Sequence, residues 1–490
     1  MRGLPFIFLA AVGVALSGCG QQIPGAIPGD PAQGAVNDFL SALNTKDEQK
    51  IRAFVDSECT PSVPPEIRMN RMMPLALQHA PFRVVKFGLR TPTSIRALFK
   101  TVEDEPNTVV MTLTEGPKPR IVKILVGDPG LMRPPKDYAE WTDIQALTDE
   151  ISRDSQSPAM GVAVIQDGRL EIAVSGVREL NKPNKVDIDS AWSIGAIGEC
   201  LCDTLIGKLI ESGKLNWDTT LREALPGFPM RPGYEKATIE QVMHQRAGFP
   251  VEPGVQEAEI KQYSAGAKSP QEIRSKYVAV VLGRAPIATP GTEFRFSRAT
   301  YAVLVKIVEA RVGRPYEEIL RDQLFKPLGL DSSFIGGEGL PTSAPLGHFP
   351  GHDWLEPVPA LSQGVIAVGN ETVIRMSAAD LAHFAELHLE GLNGKDGYLK
   401  ASTISRLHRG QNEAPDISQQ YACGWTIQGA QGIQEWHGCT DSGSAFHAQV
   451  AIFPESNLVV VAITNRGGEI DPSPTFQAVT AIGARYASAK

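Results

Sequence analysis

An imidazole and a thiol stand two residues apart at His437 and Cys439. Alternate residues of a strand point to one face, and a thiol beside an imidazole can be activated as a nucleophile. The plainer alternative is that such neighbours share a face without catalytic geometry. Three hydroxyls, Ser193, Ser297 and Ser442, have no evident base beside them, and Asp441 is too near Cys439 in sequence to imply a triad. Other chemistries find no pattern. There is no H-E-x-x-H, no C-x-x-C pair and no G-x-x-x-x-G-K, and the nine histidines are scattered. No metal or cofactor is expected.

The elements that would position these groups follow a leader. Arg2 is a lone positive charge, Pro5 to Leu16 is almost unbroken apolar sequence, and Leu16-Ser17-Gly18-Cys19 closes it. A charged start, an apolar run too short to span comfortably and small residues before a cut site make a signal peptide, residues 1–18. The closing tetrapeptide resembles a bacterial lipobox, which would lipidate Cys19. An ordinary signal peptide with an incidental cysteine is the alternative. Lipidation implies a cell-envelope protein, held to a membrane through Cys19 and facing the periplasm or exterior. Residues 19–34, rich in Gly, Pro and Gln, read as a flexible stalk. The net charge of −8 carries no basic block, which argues against nucleic acid as a partner.

Residues 35–127 read as a small α+β domain. Val36, Phe39, Leu40 and Leu43 have helical spacing, Ile51, Phe54 and Val55 suggest a second helix, and strand-like runs cover 82–87, 109–113 and 121–126. The pattern weakly resembles cone-shaped nuclear-transport-factor-like or polyketide-cyclase-like domains. A generic α+β layer fits nearly as well. Any activity there would need a pocket, and no residue stands out. Pro129, Pro134 and Pro135 mark a linker over 128–137. Residues 138–490 are a plausible size for one large domain with subdomains.

Within it, residues 161–165 and 170–174 flank Asp167-Gly168, the signature of a β-hairpin. Leu201, Leu205, Leu209 and Ile210 mark a helix stopped by Gly213. Of six cysteines, five remain if Cys19 is lipidated: Cys59, Cys200, Cys202, Cys423 and Cys439. An odd number in an exported protein leaves a free thiol or an intermolecular bridge. Cys200 and Cys202 are two apart on a helix and should not pair. Cys423 and Cys439 fall nearly opposite if 421–428 and 433–439 are strands turning at 429–432. A disulfide and two free thiols both stay open there, since a one-residue slip turns every side chain to the other face.

Ordered landmarks then carry a resemblance. I-G-K-L-I-E-S-G-K-L-N-W-D at 206–218, Met243-His244 with Ala247-Gly248-Phe249-Pro250, Pro290-Gly291-Thr292, Phe325-Lys326-Pro327-Leu328-Gly329-Leu330, Tyr421 to Trp425 and Leu458 to Asn465 follow one another in register. Together they resemble the class C serine β-lactamases, penicillin-binding proteins and related esterases. The resemblance implies an α+β fold, an antiparallel sheet flanked by helices plus a helical subdomain, with a cleft between.

It also implies what the cleft should hold. The family acts through Ser-x-x-Lys at a helix N-terminus, a Tyr-x-Asn from the helical subdomain, and Lys-Thr-Gly or His-x-Gly on a strand. The landmarks set Ala196 and Glu199 at the Ser and Lys positions, Phe296 and Arg298 at Tyr and Asn, and His437-Gly438-Cys439 at the third motif. No other Ser-x-x-Lys occurs in the chain. Only the histidine of the third motif survives. The implied cleft is lined by Ala196, Phe296, His437 and Thr440, with backbone N–H donors near Ala196 and Thr440. Lys to Glu and Asn to Arg together could replace one contact by a Glu199–Arg298 ion pair, Arg being suited to grip a carboxylate with its fork. Two drifted surface charges are the alternative. The expected function is a non-catalytic envelope protein for a peptidoglycan-like or small peptide ligand. The competing expectation is an esterase or D,D-peptidase-like hydrolase using Cys439 and His437.

Overall fold

The structure is a computed structural model. It describes the chain outside residues 1–22, 61–64, 115–117, 128–135, 251–261, 336–343, 351–354, 358–373, 411–418, 431–432, 442–444, 469–472 and 488–490, and single residues 25, 28, 92, 105, 137 and 264. The leader, Cys19, most of the expected linker and Ser442 lie outside the described residues. The chain divides into two compact units, residues 1–134 and 135–490.

In the first unit, helix α1 (Pro31–Asn44) starts inside the stretch assigned to the stalk. The reason is local: Asp30 accepts the Ala32 N–H at 2.9 Å and Pro31 occupies the first turn, where a missing N–H costs nothing. Asp47 caps α2 (Glu48–Glu58) in the same way. Helix α3 (Pro65–His79) was not foreseen, because charges and Pro74 interrupt the spacing of its buried Met69, Met72 and Ala76. Strands β1 (Arg83–Thr91), β2 (Ser94–Lys100), β3 (Pro106–Leu113) and β4 (Ile121–Gly127) form an antiparallel meander. The unforeseen β2 buries Ile95, Ala97 and Phe99 at period two, against α1.

The second unit opens with α4 (Ile144–Asp154), capped by Asp143, and the hairpin β5 (Ala159–Gln166) and β6 (Arg169–Gly176). Its turn residues Asp167 and Gly168 have φ of 50° and 76°, the left-handed backbone an Asp-Gly turn supplies. The short strand β7 (Trp192–Ser193) leads into α5 (Gly198–Glu211). A helical region follows: α6 (Leu221–Ala224), α7 (Ile239–Met243), α8 (Pro270–Gly283), α9 (Ala299–Val312) and α10 (Tyr316–Leu320). Both Thr220 and Thr238 close reciprocal caps with the residue three further on, Glu223 and Gln241. Strands β8 (Phe334–Ile335), β9 (His348–Pro350), β10 (Leu355–Pro357) and β11 (Ile374–Met376) are short, and β11 pairs with both β7 and β8.

Helices α11 (Ala378–Leu392) and α12 (Ala401–Leu407) precede strands β12 (Gln419–Ala422), β13 (Trp425–Ala430), β14 (Ile433–Asp441), β15 (His447–Phe453) and β16 (Leu458–Thr464), and α13 (Pro474–Tyr486) closes the unit. The seven-stranded antiparallel sheet runs β12-β13-β14-β15-β16-β5-β6. Helices α4 and α13 cover one face and α11 lies on the other. Every residue of β15 and β16 is consequently buried. Each Val or Ile so enclosed contributes roughly 1.5–3 kcal/mol, which explains why Leu458-Val459-Val460-Val461-Ala462-Ile463 is apolar without alternation. This is the expected α+β architecture.

Candidate functional site

The site is assembled around the start of α5. Strand β7 is tied to β11 by register pairs Ser193–Arg375 and Trp192–Met376, and the Ile194 N–H donates to the Ile374 carbonyl at 3.2 Å. The chain then turns through Gly195–Ile197, with Gly195 at φ 52°. This turn packs on β14. Ala196 sits in it, half-buried, and offers a methyl group.

Glu199 lies in the first turn of α5 and is only 5 % exposed. The helix N-terminus favours its negative charge, and that charge in turn helps push up the Cys200 thiol and the Tyr301 and Tyr421 phenols, which burial raises most. Arg298 is the N-cap residue of α9 and is exposed. Phe296, beside it, is 37 % exposed. Ser297 between them is fully buried and structural: its hydroxyl donates to the Pro250 carbonyl and accepts the Ala299 N–H, while its own N–H donates to Gln245 Oε1. Ser193 is buried as well. Thr440 is exposed, its hydroxyl donating to the Ala448 carbonyl at 3.1 Å.

The structure does not join Cys439 and His437 in a dyad. Two positions along a strand are about 6.6 Å apart, so each side chain meets its own neighbour across the interface. The Cys439 thiol contacts that of Cys200 on α5, and the His437 ring contacts His408. Cys423 and Cys439 form no disulfide. Cys423 is not on a strand: it forms the tight β12–β13 turn with Gly424, at φ of 47° and 77°. The expected strand 421–428 is thus split between β12, ending at Ala422, and β13, starting at Trp425. All five described cysteines are free and buried. Gly424 is needed where it is, because a Cβ there would lie 3.2 Å from the Cys200 sulfur and 3.1 Å from its nitrogen.

Three buried polar clusters join residues distant in the sequence. Cys423 Sγ lies 3.4 Å from His244 Nε2. Burial raises this thiol and lowers His244 to about 4, so the pair is uncharged and lacks the thiolate a nucleophile needs. In the second, Tyr301 donates to Asp203 Oδ2 at 2.8 Å and lies 2.9 Å from the Tyr421 hydroxyl. Asp203 Oδ1 is buried with no described partner, and burial holds the carboxyl well above its usual range. In the third, His388, His408 and His437 bond ring to ring against Trp425. Their members lie far apart in the sequence, and nothing local points from one to the next. No group of three metal-ligating side chains occurs among the described residues.

Comparison with known proteins places this arrangement. The Beta-lactamase family model matches residues 144–479. The chain is 25 % identical over 344 residues to Penicillin-binding protein 4 of Amycolatopsis lactamdurans, covering 68 % of this chain and 86 % of that protein. It is 21 % identical over 298 residues to a Beta-lactamase of Pseudomonas fluorescens, covering 58 % and 75 %. Among solved structures, the octameric penicillin-binding protein homologue from Pyrococcus abyssi superposes with a TM-score of 0.57 at 21 % identity, over 70 % of this chain and 77 % of that one. A class C β-lactamase superposes with a TM-score of 0.55 at 17 % identity, over 70 % and 98 %. With the family's landmarks in order and its fold around them, this chain belongs to the β-lactamase family.

Proposed function

We propose that this protein is a non-catalytic member of its family, an envelope lipoprotein anchored at Cys19 and facing the periplasm or exterior, that binds a peptidoglycan-like or other small peptide ligand. Ala196 carries the reading. It stands at the head of α5, where the family's nucleophile is expected, and has no group that can attack a carbonyl. Glu199 brings a buried carboxylate where an amine is expected, and Phe296 brings no phenol. Without nucleophile and base, only binding and backbone donors would remain to act on a substrate. The peptide class rests on family analogy. Ala196, Phe296, His437 and Thr440 are the partly or fully exposed members of the group and would line the ligand site. Glu199 and Arg298 would pair across its floor, which suits a carboxylate held out of water.

The test is an assay of the purified protein with a chromogenic ester, a β-lactam reporter and a fluorescent penicillin. The expected result is neither turnover nor a covalent label. Labelling or turnover would overturn the reading and install a hydrolase in its place, and loss of that turnover in Cys439→Ala would assign it to the thiol.

A further inference from the structure

The three histidines lock one another's protons. Thr204 donates its hydroxyl hydrogen to the Cys200 carbonyl at 2.7 Å, and a carbonyl can only accept. Thr204 Oγ1 therefore has no hydrogen left for His388 Nε2, 3.1 Å away, so that nitrogen must carry the proton and donate. A neutral imidazole has one N–H. His388 Nδ1 is then an acceptor, and His408 Nε2, at 3.0 Å, must donate to it. His408 Nδ1 is left as an acceptor, so His437 Nδ1, at 3.1 Å, must donate in turn. All three rings are neutral. They are packed around Trp425 and Phe384, and no described carboxylate is bonded to any of them. Burial holds His388 at about 3 and His437 at about 4 and lowers His408 as well.

The chain runs one way, from β14 to the first turn of α5, and its free end is His437 Nε2. His437 is the partly exposed member, on β14, against which the Ala196 turn packs. No described residue takes that nitrogen. We propose that the His388–His408–His437 chain fixes His437 Nε2 as an unprotonated acceptor facing the ligand site, so that the ligand group seated there is a hydrogen-bond donor, an amide N–H, hydroxyl or ammonium, and not a carboxylate. A carboxylate would set lone pair against lone pair. A solitary neutral imidazole could switch tautomer to suit either group; this one cannot without reversing three bonds, the last into a hydroxyl already committed. The inference rests on the binding role proposed above and names the ligand chemistry.

The test uses the full chain labelled with 15N in its nine histidines, with the His437 signals identified by their loss in His437→Gln. The expected spectrum at pH 7.5 has His437 protonated at Nδ1 with a bare Nε2, and His388 and His408 protonated at Nε2. His437 protonated at Nε2 overturns the inference without a ligand entering the result. N-acetyl-D-alaninamide and N-acetyl-D-alanine are then added separately, alike except for the donor or carboxylate end. The amide is expected to move the His437 Nε2 signal at about tenfold lower concentration than the acid. Equal or reversed response, or none from either, overturns the donor preference. Labelling by a fluorescent penicillin would sink the non-catalytic reading and leave the tautomer result standing, so the two failures are distinguishable.

Discussion

On one face of the seven-stranded sheet, Val162, Val164, Phe453, Val460 and Ala462 meet Leu147 and Ile151 of α4 and Val479 and Ile482 of α13. On the other, an equally apolar layer from Ala163, Ile165, Val450, Val459 and Val461 is interrupted by buried Glu199, Asp203, His388 and His408. The outer face is packed by apolar side chains. The inner face carries groups that cost free energy to bury, and they gather where α5, α9, α12 and the β12–β14 edge converge.

Truncation of the outer face should be the most damaging single change. Phe453→Ala leaves a cavity in a fully buried site and is expected to lower the unfolding free energy by about 3–5 kcal/mol in urea titrations. The loss should be the same at pH 7.5 and pH 5, since the groups it disturbs do not titrate. A loss confined to acid pH would break the contrast between the faces.

Acid should act through the inner face. Burial lowers His244 to about 4, His388 to about 3 and His437 to about 4 from 6.5. As pH falls below 6.5 the unfolded chain takes up protons that the folded chain refuses. The stability tied to these rings is therefore complete above pH 6.5 and is lost progressively down to about pH 4. Each such ring gives about 1.5 kcal/mol between pH 6.5 and pH 5, so His244, His388 and His437 together give about 4.5 kcal/mol, and the lowered His408 adds to it. A urea midpoint that does not move across this range contradicts the assignment.

The Asp203 cluster gives a smaller effect. Tyr301→Phe removes the donor to Asp203 and strands a buried carboxyl, at about 2 kcal/mol. Adding Asp203→Leu removes the stranded group and should restore part of that loss. If the double variant is as unstable as the sum of the singles, the cluster is not acting as a unit. The smallest effect concerns Glu199 and Arg298. A double-mutant cycle with Glu199→Gln and Arg298→Ala is expected to show a coupling of about 1 kcal/mol in stability, and none would dismiss the pairing.

How much was readable in advance follows the same division. The Asp167-Gly168 hairpin, the α5 stripe ending at Gly213 and the helical face of α1 depend on residues within one or two turns of each other, so the sequence carries them openly. Placing Ala196 and Glu199 at the head of a helix needed only an ordered set of landmarks. By contrast, α3 and β2 were missed because Pro74 and the buried Arg96 disguise their periods. Cys423 sits in a two-residue turn whose residues look locally like strand.

By itself, then, the sequence determined the family and the architecture of the large unit, because local propensity and linear order suffice for these. Only the tertiary structure decided their partners. His388, His408 and His437 come from α11, the end of α12 and β14, and Thr204 lies 184 residues from the ring it accepts. The direction of a proton along that chain depends on all four at once, a property no single segment possesses.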